Sequence, residues 1–569
     1  MPLLAHGNYL PDLSDYEGAA TRNIQNVMPR GDGYGPFPSF SAYTQPLPAA
    51  CRGAFYALKS DGTVITFAGT VDRLYQLNNT DFSWTNVSIP AAVSSISHAS
   101  PGVVTYTNTF AANDPVVLST TGTLPAPLVA GTTYYVSATG LSGSVLSLSA
   151  TPGGAAINTT TNGSGTHSIT SIYPALSATA QWQFAQTGNF VFATQANSVL
   201  QIFDLSSATA FAVALGSPPQ AAYISVVGRF LVLSGLLSTP YRIQWSGLNS
   251  FNASTSWTSG VNSSDFQDFP DGGIVRGVAG GEDGIVFQDQ AIRRMSFVAG
   301  SPIIFQIDRL TQDKGLFAPY SIIRAGENIL FYAGQGFHMI APGGLPTAIG
   351  REKVDRTFLA DLDRGNLQMF MGAADPRSTR VYWAYKSASG TVGTFDKLLG
   401  YDFLLGQFFP VASTGQYLLG ISQSGLTLEN LDSISGSIDA LTLTLDAYAT
   451  AVQPEIGQFN GSNTLGFFRG PNLEATMETA EQGTDNDEIF IRGFRPITDA
   501  PALFGSASYR DSPSAAVTAG AEVAVNSRTG RCDMRRATRY SRFKTRIPAG
   551  TSWTFCAGVV PDINPEGKL

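Results

Sequence analysis

The chain has 569 residues, 43% of them hydrophobic and only 13% charged, and its formal net charge is -8. A protein that grips nucleic acid is normally basic, because neutralising phosphates supplies most of its non-specific affinity, so this balance argues against such a protein. The longest apolar runs, such as FLVLSGLL, are too short to cross a bilayer, and we therefore expect no membrane-spanning segment.

The opening segment, MPLLAHGNYLPDLSDYEG, lacks a basic region followed by an apolar core. We therefore expect no signal peptide and synthesis in the cytoplasm. The three cysteines, Cys51, Cys532 and Cys556, are far apart and form no CxxC pair. This spacing predicts reduced thiols instead of a disulfide framework or a zinc site.

Residues 1–50 are rich in proline and glycine and show little periodicity. They are predicted to form an extended N-terminal arm that is ordered only where it lies along another part of the protein. Arg30, Gly31 and Asp32 spell an adhesion tripeptide, but such a triplet arises easily by chance in a glycine-rich loop. A plain loop is the preferred interpretation.

The segment WQFAQTGNFVFATQANSVLQIFDL, residues 182–205, predicts three short strands joined by turns. Its middle strand is apolar at every position, so its sheet should be covered on both faces. Similar units begin near residues 61, 227, 283, 326 and 375. The turn glycines Gly188, Gly228, Gly284 and Gly326 are separated by 40, 56 and 42 residues, which is close to the ~40 to 50 of propeller blades.

With a weaker copy over residues 415–431, about seven units are present. The predicted fold class is all-β: a β-propeller of about seven blades, with some irregularity. We expect residues 52–58 and the strands after Gly415 to meet in one blade and close the ring.

The predicted domains are the arm at 1–50, the first blade region at 51–99, an inserted small β-sandwich-like domain at 100–175, the remaining blades at 176–432 and a C-terminal β module at 433–569. The insertion is rich in Thr, Ser, Gly and Asn and has short alternating strands. The module is expected to open with the alternating strand LTLTLDAYATAV, residues 441–452.

The C-terminal module contains an acidic run followed by a basic one. In RYSRFKTRI the period of two puts the basic residues on one face of a strand and Phe543, Thr545 and Ile547 on the other. The basic run is either a docking surface for an acidic neighbour, such as the acidic run of the next subunit, or a solvated edge strand guarded by charge. The candidate interface residues are Glu474, Glu478, Glu481, Asp485, Asp487, Glu488, Arg535, Arg536, Arg539, Arg542, Lys544 and Arg546.

A search for catalytic or metal-binding residues finds four scattered histidines and three groups of carboxylates: His6, His98, His167, His338; Asp265, Asp268, Asp271; Glu282, Asp283; Asp361, Asp363. The histidines form no cluster, and the aspartates lack the alternating spacing of a calcium loop. GxSxG, HExxH and GxxxxGK[ST] are absent from the sequence. We therefore predict no enzymatic activity, no cofactor and no metal.

Nine segments occur in an order that resembles a family of tail proteins from short-tailed bacteriophages, similar in role to the tail tubular or nozzle component below the portal and adaptor. The likeness covers about residues 8–430 and the last thirty. The segments are YLPDL, NVMPRGDGYGPFPSFSAY, DGTVITFAGTVDRLYQL, WQFAQTGNFVFA, YRIQWSGLNS, GGEDGIVFQDQAIRRMSFVAGSPIIFQID, AIGREKVDRTFLADLD, DPRSTRVYWAY and IPAGTSWTFCAGV.

The resemblance implies a structural virion protein that forms a homohexameric ring in the phage tail. That ring would be the distal conduit for DNA ejection and a platform for fibres, spikes or receptor-binding parts. It would contact the adaptor and portal complex and bind no DNA specifically. An acidic chain suits such a bore, since its lumen would repel phosphate, and we expect the basic run to face another subunit.

Two other classes remain open. A polysaccharide-binding or depolymerising propeller, similar to a tailspike, would use exposed aromatic side chains such as Tyr134, Tyr135, Trp245 and Trp257. A free ligand-binding propeller would be monomeric and have a polar central pocket.

Overall fold

A computed structural model describes residues 3–14, 20–88, 90–106, 110, 112–171, 173–300, 303–422, 454–483 and 487–568. Within these ranges the regular structure is almost entirely strand. The helices are short: one α-helix at Asp355–Asp361 and two 3-10 turns at Pro319–Ser321 and Leu367–Met369. None of them is long and apolar enough to cross a membrane. The all-β prediction is confirmed.

Seven antiparallel sheets of four strands each form the body of the described chain, which confirms the β-propeller. In each blade the strand given first lies nearest the axis. The strands are, for blade 1, Ala54–Leu58, Val64–Gly69, Leu74–Leu77, Trp84–Asn86; for blade 2, Gln183–Thr187, Phe190–Thr194, Gln201–Asp204, Ala212–Val213; for blade 3, Ala221–Val227, Phe230–Leu236, Arg242–Trp245, Asp265–Asp268; for blade 4, Val275–Ala279, Gly284–Gln288, Ile292–Phe297, Phe305–Thr311; for blade 5, Ile323–Ala325, Asn328–Ala333, Gly336–Ile340, Pro346–Ala348; for blade 6, Met371–Ala374, Arg380–Tyr385, Phe395–Asp402, Gln407–Gly415; and for blade 7, Tyr417–Ser422, Pro454–Phe459, Leu465–Asn472, Pro38–Ala42.

Hydrophobic cores lie between neighbouring blades all around the ring. Blades 1 and 2 meet at Phe67 and Phe203, whose ring centroids are 5.0 Å apart. Blades 5 and 6 meet at Phe337 and Trp383, at 4.6 Å. Because each sheet is packed on both faces, a strand such as Phe190–Thr194 is apolar at nearly every position, as the sequence pattern indicated.

The recurrent glycines mark the turn between the first and second strand of successive blades. Gly188, Gly228 and Gly326 have φ values of +54°, +54° and +62°, a region that other residues enter only with strain. Gly284 begins the second strand of blade 4, directly after the equivalent turn. The glycine spacing in the sequence therefore reported the blade repeat correctly.

Blade 7 closes the ring with a strand from the N-terminal region. Pro38–Ala42 pairs with Leu465–Asn472, with Phe40 opposite Phe468. The prediction that residues 52–58 make this join is wrong, because Ala54–Leu58 is the innermost strand of blade 1. The propeller thus extends into residues that the sequence assigned to the arm and to the C-terminal module.

Beside the propeller lies a β-sandwich of two sheets, built from both ends of the chain. We call the sheet that contains the basic run the ladder sheet and the other the long sheet. The ladder sheet consists of Ile24–Gln25, Ala475–Glu478, Tyr540–Ile547, Phe504–Arg510 and Thr518–Ala519, with Gln482–Gly483 and Val523–Ala524 at its margins. The long sheet consists of Cys532–Thr538, Asp487–Thr498, Cys556–Lys568, Gly33–Pro36 and Val27–Arg30, with Leu4–Ala5 beside the third of these strands.

The sandwich is packed against the outer strand of blade 6. Asn26 donates its backbone N–H to the carbonyl of Pro410 at 3.0 Å, and its side-chain oxygen accepts the N–H of Ala412 at 2.8 Å. Val27 and Phe409 are fully buried in the same core. The N-terminal residues are therefore ordered along another part of the protein, as expected of the arm, but as strands of a shared sandwich.

The insertion between blades 1 and 2 has its own small core, which includes Val116, Leu118 and Ile169. Its first strand lies before residue 100, where the sequence placed the boundary. The strands are Pro90–Val93, His167–Ser171, Pro115–Thr120, Thr133–Val136 and Leu148–Ser149 in one sheet, and Ser95–Ile96, Val104–Thr105 and Val145–Leu146 in the other. A separate parallel pair joins Asn8–Tyr9 to Ala20–Thr21. The segment LTLTLDAYATAV lies outside the described residues.

His6 should make the fold sensitive to acid. The backbone N–H of His6 donates to the carbonyl of Ala557. The imidazole ring is buried without a hydrogen-bond partner among the described residues, and burial lowers its pKa from 6.5 to about 4. The folded state thus favours the neutral ring, so this contribution is complete above pH 6.5 and is lost as the pH falls towards 4. We expect His6→Leu to remove about 2 kcal/mol of that pH dependence, measured as the difference in unfolding free energy between pH 7 and pH 4.5.

The matched control for this measurement is His98→Leu, because His98 is exposed in the inserted domain. An equal acid sensitivity of the His6→Leu variant and the wild type would show that His6 is not the group responsible.

Candidate functional site

The basic run forms the alternating strand that the sequence predicted. In Tyr540–Ile547 the side chains of Phe543, Thr545 and Ile547 are buried, with exposures of 1% or less. Arg542, Lys544 and Arg546 alternate with them and are partly exposed. The strand lies in the middle of the ladder sheet, between Ala475–Glu478 and Phe504–Arg510, and is not an edge strand.

The acidic partners of this strand come from the same chain. Arg546 forms ion pairs with Glu474 at 2.9 Å and with Glu522 at 2.7 Å. Lys544 lies 3.8 Å from Glu522. The hydrogen bond from Arg546 lowers the pKa of the Glu522 carboxyl. The basic strand is therefore paired with Glu474 and Glu522 of its own chain, whereas one of the two interpretations of the sequence placed its acidic partner in the next subunit.

The most buried charge of the site is Glu481, with 3% of its side chain exposed. Arg510 donates its Nε–H to Glu481 at 2.8 Å and a second hydrogen bond from Nη2. Arg542 Nη2 lies 3.5 Å from the same carboxylate. Both arginine side chains are mostly buried, and the three groups form a bidentate pair with an added cation on the face of the ladder sheet opposite the hydrophobic core.

Glu478 lies on the same face, opposite Lys544, and is held by hydrogen bonds. Its carboxylate accepts from Asn23 Nδ2 and from Ser508 Oγ, each at 3.2 Å. Asp487 and Glu488 begin a strand of the long sheet, and Asp485 lies outside the described residues. The structure thus brings Glu474, Glu478 and Glu481 to the basic strand, whereas Asp487 and Glu488 belong to the long sheet.

The other basic candidates lie elsewhere. Arg535 and Arg536 are exposed on Cys532–Thr538, the edge strand of the long sheet, and the Arg536 guanidinium lies 3.9 Å above the Tyr509 ring. Arg539 lies in the connection from Cys532–Thr538 of the long sheet to Tyr540–Ile547 of the ladder sheet. A role of these three residues between subunits stays a prediction.

Sequence reasoning missed Arg510 and Glu522. Each stands alone in its segment, far from the basic run along the chain, and neither belongs to a repeated pattern. Their pairing follows from the order of strands in the ladder sheet, which residue spacing does not encode. The basic run has no acidic residues at alternate positions of its own strand. This was the one signal in the sequence that its acidic partners had to come from other strands.

The propeller axis holds a cavity of about 200 Å³. Its lining includes Gln181, Gln183, Tyr223, Tyr320 and Tyr417. The backbone N–H of Gln181 donates to the Tyr320 hydroxyl at 3.0 Å, and the Gln181 side-chain amide donates to a carbonyl across the axis. Burial raises the pKa of Tyr320 to about 12. Amide and phenol groups thus surround a cavity on the axis that has room for one small molecule.

Four of the seven carboxylates that the sequence suggested for catalysis or calcium form ion pairs, and Asp265 accepts a hydrogen bond from Ser259 Oγ at 2.6 Å. The pairs are Asp268 with Arg242, Asp271 with Arg293 and Arg309, Asp361 with Lys397, and Asp363 with Lys386. The hydrogen bond from Lys386 lowers the pKa of Asp363 to about 2. Within the described ranges no group of three or more His, Cys, Asp or Glu residues could hold a metal.

Cys51, Cys532 and Cys556 are free thiols, as predicted, and the structure places all three in buried positions. Burial raises the pKa of Cys51 and of Cys556 to about 12, and that of Cys532 to about 11. These thiols are therefore protonated at neutral pH and are poor nucleophiles.

Three of the four aromatic residues considered for sugar binding are buried. Tyr134, Trp245 and Trp257 have exposures of 6%, 4% and 5%. Trp245 donates its ring N–H to the carbonyl of Ser263 at 2.9 Å. Only Tyr135 of this set is partly exposed. The buried rings serve packing and present no face to a carbohydrate.

No protein-family model and no curated protein sequence matches the chain. Among solved structures it is similar to U3-55K, at 9% identity and a TM-score of 0.33, over 68% of this chain and 89% of that one. It is also similar to the designed Ika8 protein, at 10% identity and a TM-score of 0.28, over 74% and 97% of the two chains. The β-propeller domain of Cps50 (Swd1) from Myceliophteria thermophila aligns at 9% identity and a TM-score of 0.26, over 60% of this chain and 96% of that one.

Proposed function

We propose that the protein is a structural virion component, a subunit of a ring-shaped phage tail nozzle through which DNA leaves the particle. The ordered landmarks of the sequence carry this proposal, from YLPDL near the start to IPAGTSWTFCAGV near the end. In this role the ring would also be a platform for fibres, spikes or receptor-binding parts.

The construction of the subunit supports a mechanical role. The strand Pro38–Ala42 closes the propeller, and strands from both chain ends share one sandwich that is packed on blade 6. A ring closed on itself exposes few unpaired strand edges, and the sandwich covers one more of them. Such a body is stiff, as a part that bears load during ejection must be.

The propeller axis would not be the conduit. Its 200 Å³ cavity is lined by side chains that bond across it, and a DNA duplex, whose major groove alone is about 12 Å wide, cannot pass. A passage for DNA has to be enclosed between several copies of the chain. An acidic bore made in this way would repel phosphate and let the duplex move freely.

Electron microscopy and mass measurement of the purified protein test the proposal. We expect a ring of several copies around an open bore, formed by the chain alone or on addition of the adaptor complex. A particle of 60 kDa at every concentration, with or without the adaptor, would contradict it. Release of reducing ends from host capsular polysaccharide would favour the depolymerase instead.

A further inference from the structure

The cavity on the propeller axis lies where the first strands of several blades meet. Its wall includes Gln183 of blade 2, Tyr223 of blade 3, Val278 of blade 4, Met371 of blade 6 and Tyr417 of blade 7. Each of these strands is paired with the next strand of its own blade. Most of the wall therefore belongs to the rigid framework of the propeller.

Three phenol hydroxyls in this wall donate to no acceptor among the described residues. The Tyr320 oxygen accepts the backbone N–H of Gln181 at 3.0 Å, which leaves its own O–H able to donate. The hydroxyls of Tyr223 and Tyr417 have no partner in the same part of the chain, yet they keep contact with open space, unlike the sealed Tyr332 hydroxyl. Buried polar groups are normally satisfied, so the contents of the cavity have to supply oxygen acceptors.

The wall also offers a hydrogen-bond acceptor. Gln183 donates its side-chain N–H to the carbonyl of Trp182 at 3.1 Å, and within the described ranges its amide oxygen accepts no hydrogen bond. A molecule that complements this wall needs oxygen acceptors for the phenols and a donor for the amide. Hydroxyl groups provide both.

The charge of the wall points to a neutral molecule. Of the described residues, those that line the cavity are all uncharged. Arg52, whose charge acts on Tyr320, donates to backbone carbonyls, and Arg276, whose charge acts on Tyr223, pairs with Asp289 at 2.6 Å. An ion in the cavity would lose its water without gaining a counter-charge, which is costly.

The size and the apolar part of the wall fit a small ring. A cavity of about 150 Å³ admits benzene, so one of about 200 Å³ has room for a six-membered ring that carries oxygen substituents. The Tyr223 and Tyr320 rings, with centroids 6.1 Å apart, can cover the C–H face of such a ring. Aliphatic side chains complete the wall: Ile224, Val278, Ile322, Met371 and Leu418.

We propose that the axis cavity binds a neutral polyhydroxylated molecule of one six-membered ring, a single sugar unit or a cyclic polyol. The phenol groups of Tyr223, Tyr320 and Tyr417 donate to its oxygens, and the Gln183 amide oxygen accepts one of its hydroxyls. The site lies within one propeller, so it does not depend on the assembly of subunits into a nozzle.

The test is saturation-transfer NMR of the full chain, titrated with glucose, galactose and myo-inositol. Glucuronate, a sugar ring with a carboxylate, tests the requirement for a neutral ligand. The cavity variants are Tyr223→Phe, Tyr320→Phe and Tyr417→Phe. The matched control is Tyr134→Phe in the inserted domain, because the Tyr134 hydroxyl also accepts a backbone N–H, that of Val129 at 2.8 Å. Melting temperature establishes that each variant is folded.

We expect at least one of the neutral compounds to bind, each cavity variant to weaken its binding about fivefold to tenfold, and Tyr134→Phe to leave it unchanged. Glucuronate should bind about tenfold more weakly than glucose or not at all. Failure of all the neutral compounds to bind, or equal losses in the control and the cavity variants, would overturn the site. A crystal structure grown with these compounds that shows only ordered water on the axis would overturn it as well, and tighter binding of glucuronate would overturn the neutral ligand.

Discussion

Deletion of residues 1–42 should prevent the protein from folding into a closed propeller. The deletion removes the fourth strand of blade 7 and three main strands of the sandwich. It also removes Ile24, Val27, Tyr34 and Phe37, each 3% exposed or less. At about 2 to 3 kcal/mol for each buried side chain, the loss is on the order of 10 kcal/mol, comparable with the whole stability of a typical domain.

A shorter deletion tests whether misfolding results from loss of the closing strand or from truncation of the N-terminal region in general. Removal of residues 1–22 spares Ile24–Gln25, Val27–Arg30, Gly33–Pro36 and Pro38–Ala42. We expect this variant to give a monodisperse folded protein in size-exclusion chromatography, and the longer deletion to give aggregate that a synthetic peptide of residues 20–46 partly rescues. A scrambled peptide is the control. Cooperative unfolding of the 1–42 deletion at the wild-type temperature would show that the strand is dispensable.

Replacing Glu481 by alanine should destabilise the sandwich by about 3 to 5 kcal/mol. The change removes the carboxylate that Arg510 and Arg542 share, and loss of one partner from a buried ion pair costs far more than a surface pair contributes. Glu481→Gln keeps one acceptor and should lie between the alanine variant and the wild type. Urea unfolding and hydrogen exchange of the amides in Tyr540–Ile547 measure the loss.

The matched control for Glu481 is Glu488→Ala, from the same acidic run but exposed at the start of its strand. We expect this change to alter stability by less than about 0.5 kcal/mol. Equal effects of the two alanine variants would mean that the Glu481 carboxylate is not the centre of the charge cluster.

The propeller was readable from the sequence because its signals are local. Strands buried on both faces are apolar throughout, and Gly188, Gly228 and Gly326 recur at the same turn. Those patterns lie within each blade, so a single segment predicts its own structure. The alternation of Arg542, Lys544 and Arg546 with buried neighbours was readable for the same reason.

Long-range pairings could not be read in this way. Pro38–Ala42 is short, begins with proline and has no buried residue, so nothing in its composition identifies it as the closing strand. The partners of Glu481 depend on the order of strands in the ladder sheet.

The pairing of the first strands with the last has a consequence during synthesis. Pro38–Ala42 leaves the ribosome early, yet its partner Leu465–Asn472 follows more than four hundred residues later. At about 5 to 20 residues per second the early strand waits roughly 20 to 90 seconds with an open edge. An open strand edge can pair with other chains, so we expect slower translation of the second half to increase the insoluble fraction.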